Sequence, residues 1–263
     1  MKKIISYLKD FYKNHFSWGE IIVAIICLIG FCFFKYYKYI PSSWGEQSLL
    51  THWWYKAYFA EYRFSFHLVL YGTPIFFGYL MSSLFHREWK FWKEPRFWFL
   101  CLFAASVFAF RSNLTFIVKN QLNIFNDYEH IEWLKSIIGT MVRGGFVFIT
   151  IWFYWYTVDK NNQPFYGFTR KNFNTKPYFI MLLLMVPLII AASTQADFLE
   201  SYPRVQRFDS LDIGNTGHWK QFALYEFLYG LDFFTIEFFF RGFMILAFVG
   251  IVGPRAIIPM AYI

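Results

Sequence analysis

The chain has 263 residues, of which 57% are hydrophobic, 25% aromatic and 16% charged, with a formal charge of +8. Soluble domains carry about 25% charged residues, and the apolar residues here run in blocks near the roughly 20 residues that a bilayer-spanning helix needs. Composition therefore excludes a soluble globular enzyme and defines an all-α, polytopic membrane helical bundle. The basic excess belongs to helix ends that meet anionic lipid, since no soluble folded region is left to carry nucleic acid.

Residues 1–17 form a basic, aromatic, amphipathic N-terminal segment, and 18–263 form the membrane domain. The first apolar run, "IIVAIICLIGFCFF", has no small-residue cleavage site and is expected to be a retained helix. Hydropathy predicts spans at Trp18–Tyr39, Phe64–Phe85, Phe97–Phe110, Ile137–Val158, Tyr178–Thr194 and Gln221–Gly250. A seventh would begin after Pro254 in "RAIIPMAYI". Cys27, Cys32 and Cys101 lie in apolar runs without a CxxC spacing and read as packing residues.

Two short loops are densely basic. One carries Arg87, Lys90, Lys93 and Arg96, the other Lys160, Arg170, Lys171 and Lys176. The alternate loops hold Asp127, Glu129 and Glu132, then Asp197, Glu200, Asp209 and Asp212. The positive-inside rule puts the N-terminus and both basic loops in the cytoplasm. Lys35, Lys38, Lys56 and Arg63 in the first external loop run against this pattern. The long loop before the last span, with turn formers Gly214, Asn215 and Gly217, lacks the ligand spacing of a calcium loop and reads as solvated.

Charged side chains inside a bilayer are costly, so each calls for a partner, a wet cavity or a function. Arg143 falls near the start of its predicted helix and is expected to snorkel. His67 is expected to pack among aromatics, with Tyr71 one turn away. The sixth span is denser in charge, with Glu226, Asp232, Glu237 and Arg241 in "QFALYEFLYGLDFFTIEFFFRGFMIL". On an α-helix Glu237 and Arg241 share one face at i and i+4. Glu226 lies on that face about 16 Å away, and Asp232 about 140° around from Glu237. Spacing leaves two readings open: a structural ion pair, or a catalytic carboxylate beside a guanidinium.

The stretch "EFFFRGF" resembles the first motif, Glu-Glu-x-x-x-Arg, of the CPBP family of CAAX prenyl proteases and bacteriocin-processing membrane endopeptidases, with a motif region over 178–263. The resemblance implies an intramembrane peptidase of a bacterial cytoplasmic membrane, acting on a peptide or protein substrate near the lipid bilayer. It implies that a glutamate and a histidine activate water, with or without a divalent metal such as zinc. By position Glu237 matches the second glutamate and Arg241 the arginine, while Ile236 stands where the first glutamate belongs. Glu226 and Asp232 are the secondary candidates, reachable only if the helix breaks near Gly230. The family's histidine motifs should follow Arg255, and the apolar run at Ile263 is expected to continue in a longer protein. No HExxH, GxSxG or P-loop pattern is present. The alternative reading is a non-catalytic membrane scaffold or immunity-like factor derived from the same family.

Overall fold

The computed structural model describes residues 6, 9–12, 17–36, 63–122, 130–169, 175–202, 204, 208 and 218–257. Among them all regular structure is helical: α1 (Trp18–Tyr36), α2 (Arg63–His86), α3 (Pro95–Leu122), α4 (Ile131–Tyr154), α5 (Lys176–Ala192), α6 (Ala196–Ser201), α7 (Trp219–Glu237) and α8 (Ile245–Val252). Two π-helical turns, Trp155–Asp159 and Phe238–Met244, extend α4 and join α7 to α8. Four helical runs are long and apolar enough to cross a membrane: Arg63–His86, Pro95–Leu122, Ile131–Asp159 and Trp219–Ile257. Trp18–Gly30 and Leu182–Ala192 are apolar but shorter. Most of the N-terminal segment, Lys38, Lys56, Asp127, Glu129, Arg170, Lys171, Asp209, Asp212, Gly214, Asn215, Gly217 and the seventh span past Ile257 lie outside the described residues.

Helix α3 outruns its expected end at Phe110 by a further three turns. Two of the polar residues there have partners within the helix. The Arg111 guanidinium lies 5.6 Å over the Phe108 ring, and the Asn113 amide donates to the Ala109 carbonyl at 2.8 Å.

Packing divides the chain into two compact units, Met1–Ile4 with Leu114–Glu237, and Ile5–Asn113 with Phe238–Ile263. In the first, α4 packs on α7. Ile137 meets Tyr225 and Leu228 in a core that includes Phe208. Further along, Arg143 reaches Asp232. A Cβ on Gly144 would lie 3.6 Å from Thr235 Oγ1, so the helices pass closely there. Contacts advance in the same sense along both helices, which makes α4 and α7 parallel.

In the second unit α2 and α3 build an aromatic core. Tyr79 is buried between Phe91, Phe97 and Phe248, and Phe108 packs on Phe239 and Phe240. The turn between α2 and α3 is pinned by Trp92 Nε1 donating to Ser83 Oγ at 2.7 Å and Trp98 Nε1 donating to the Trp92 carbonyl at 2.8 Å. Glu20 of α1 is fully buried and meets His86 Nε2 at 3.2 Å. Arg255 pairs with Glu88. Helix α8 stops at Gly253, whose φ of 71° and ψ of −161° lie in a region open essentially to glycine alone. Gly253→Ala is therefore expected to cost about 1–3 kcal/mol, read as a drop in thermal unfolding temperature in detergent. An unchanged temperature would mean that the backbone relaxes.

Candidate functional site

Helix α7 carries three of the four residues singled out by sequence. Glu237 is its last residue and half-buried, and Arg241 lies exposed in the π-helical stretch that follows. The i to i+4 relation supposed an unbroken α-helix. From Phe238 the wider π turn replaces it, so the α-helical angle between these side chains no longer applies. Ile236 is half-buried and offers no proton acceptor at the motif's first position. The π turn covers "FFFRGFM", most of the motif-like stretch, and such turns inside α-helices occur frequently at functional sites.

Asp232 is 8% exposed, and its Oδ2 accepts from Arg143 Nε at 3.1 Å and Nη2 at 2.9 Å. The same Nη2 donates to Thr140 Oγ1 at 2.9 Å. This pair corrects the expectation for Arg143. Helix α4 begins at Ile131, six residues earlier than expected, so Arg143 stands about 18 Å along it rather than near its start. Asp232 stands about 20 Å along the parallel α7. Equal depth on parallel helices lets the two charges meet, Asp232 almost buried and Arg143 partly exposed. The signal in the sequence was one cation and one anion, each inside an apolar span.

Glu226 is half-buried, and its Oε1 is buried without a hydrogen-bond partner among the described residues. Gly230 is helical, with no break to carry Glu226 or Asp232 toward Glu237. Outside the spans, a hydrogen bond from Tyr229 and the adjacent Arg204 hold the Tyr202 phenol below its ordinary pKa. His67 is buried, as expected, and bonds the Arg63 carbonyl through Nδ1 at 2.7 Å rather than Tyr71, whose hydroxyl meets Ser112 Oγ at 2.9 Å.

Among the described residues no three of His, Cys, Asp and Glu come together as a metal-ligand group. The residues in view do not fit a zinc centre, and no chemical step is assigned to a metal. No family model, curated protein or solved structure matches this chain.

Proposed function

We propose that the chain is the membrane domain of an intramembrane endopeptidase of the CPBP type, hydrolysing a peptide bond in a membrane-associated substrate. The observation that carries this reading is the coincidence of the π-helical turn with "EFFFRGF" at the end of a long apolar helix. In this reading Glu237 takes a proton from water as the water oxygen adds to the peptide carbonyl, Arg241 stabilises the developing negative charge, and Glu237 returns the proton to the amine nitrogen as the C–N bond breaks. A histidine, and any divalent metal, would be supplied from outside the described residues. The parallel run of α4 and α7 supports a crossing by α5 between them, because a chain that leaves α4 on one side must return before entering α7 in the same direction. That crossing favours six spans with the start of a seventh, and the basic loops favour an N-terminus in the cytoplasm of a bacterial cell.

Ile236 favours a second reading, a non-catalytic scaffold of the same ancestry, because an isoleucine stands where a water-activating acid would. One comparison separates the two. Wild type and Glu237→Gln are reconstituted with a membrane-anchored peptide library, and cleavage is read by mass spectrometry. The peptidase reading expects cleavage by wild type, a loss of at least about a hundredfold in the variant, and equal thermal stability. Cleavage that survives in the variant, or none in either protein, overturns it, and the second outcome favours the scaffold.

A further inference from the structure

Within the Leu114–Glu237 unit lies a cavity of about 160 Å³ that the motif residues do not line. Among the described residues three cations line it, Lys135, Arg143 and Arg204, and no acid does. The remaining polar lining is hydroxyl-bearing, with Ser136 and Thr140 from α4 and the phenols of Tyr225 and Tyr229 from α7. The two tyrosine rings stack 6.5 Å apart at 10° and form one wall.

The opposing charges sit to the sides. Asp232 takes the Nε and Nη2 edge of Arg143, and no described residue bonds its Nη1. Lys135, 5% exposed, reaches Glu132 at 2.8 Å, but that glutamate is 69% exposed in its side chain and screened by solvent. Glu226 acts on Tyr202, the phenol that bonds Arg204, and does not line the cavity. The cavity wall thus presents guanidinium forks, an ammonium and hydroxyls, which are the groups that bind a tetrahedral oxyanion from several sides.

We infer that this cavity is a binding site for a phosphate group. Its volume accommodates a phosphate together with waters. Lys135 stands about 6 Å along α4 and Arg143 about 18 Å, so the site runs from one end of a membrane-length helix toward its middle. A phospholipid headgroup and a free phosphate ion both present the required chemistry at that depth. The site is independent of Glu237, and its test does not require proteolysis.

The full chain is purified in detergent and its thermal unfolding followed in three titrations, with phosphatidylglycerol, with phosphate-free diacylglycerol and with inorganic phosphate. The expected result is stabilisation by phosphatidylglycerol beyond diacylglycerol, or by inorganic phosphate alone. Arg204→Gln, at an exposed position, should weaken the apparent affinity about tenfold, and Ser136→Ala should weaken it less. A response to phosphatidylglycerol only assigns a lipid headgroup, and a response to inorganic phosphate assigns the free ion. If neither probe stabilises the protein beyond diacylglycerol, or if Arg204→Gln responds as wild type does, the site is not a phosphate site.

Discussion

Asp232→Ala is expected to cost about 3–5 kcal/mol, because it leaves Arg143 charged and uncompensated in the middle of α4. Arg143→Ala should cost less. A carboxyl group left alone can bind a proton and become neutral, whereas a guanidinium keeps its charge under any accessible condition. Replacing both by apolar residues of similar size, Arg143→Met with Asp232→Leu, should recover most of the loss, since a buried pair is often no more stable than good apolar packing. Thermal unfolding in detergent, together with the amount of protein reaching the membrane, measures all three. Equal losses in the two single variants, with no recovery in the double, would show that the pair is not what holds α4 to α7. Gly144 offers a control on the same seam. Alanine there makes only ordinary contact with Thr235 and should be tolerated.

Asp159→Ala is the second large effect. Its carboxylate is fully buried at the end of the π turn and accepts from the Tyr166 hydroxyl at 2.7 Å and the Gln163 amide at 3.2 Å. Its carbonyl also accepts the N–H groups of Asn162 and Gln163, at 2.9 and 3.0 Å. Tyr166 is held at a φ of 34°, unusual for a residue with a side chain, and Gly167 follows at 92°. The Asp159–Tyr166 bond ties this left-handed turn back onto the end of the helix. Losing it leaves a buried phenol without its anionic acceptor, at a cost of about 2–3 kcal/mol. Limited proteolysis should then cut at Lys160 faster than in wild type. Asp159→Asn, which keeps an acceptor oxygen, should be milder. An alanine variant as stable and as resistant as wild type would assign the turn to its backbone alone.

The helical character and the position of the apolar segments were legible from residue order, because hydropathy reports burial in lipid directly. Helix limits were less so. Arg111 looked like the end of α3 until its stacking on Phe108 showed how the charge is carried within the helix. The π turn at Phe238 was hidden for a different reason: i to i+4 spacing supposes the hydrogen-bond pattern that this stretch departs from. Asp232 ranked only as a secondary candidate because its direction was judged against Glu237 on its own helix, when its partner stands 89 residues away on another. Lys135 and Arg143 of α4 share a cavity with Arg204, about sixty residues further along the chain. Sequence order gives no distance between helices, so their convergence could not be read from it.

That 89-residue separation also sets an order of events during synthesis. At 5–20 residues per second, Arg143 leaves the ribosome roughly 4–18 s before Asp232. During that interval α4 holds a cation whose counter-charge has not yet been made, and the helix depends on lipid headgroups, water or the insertion machinery to shelter it. Helix α5 is made in that same interval, before the pair can close. The arrival of Asp232 then converts α4 from a segment that the membrane tolerates poorly into one anchored to its neighbour, so the last half of α7 decides whether the helices before it stay in place.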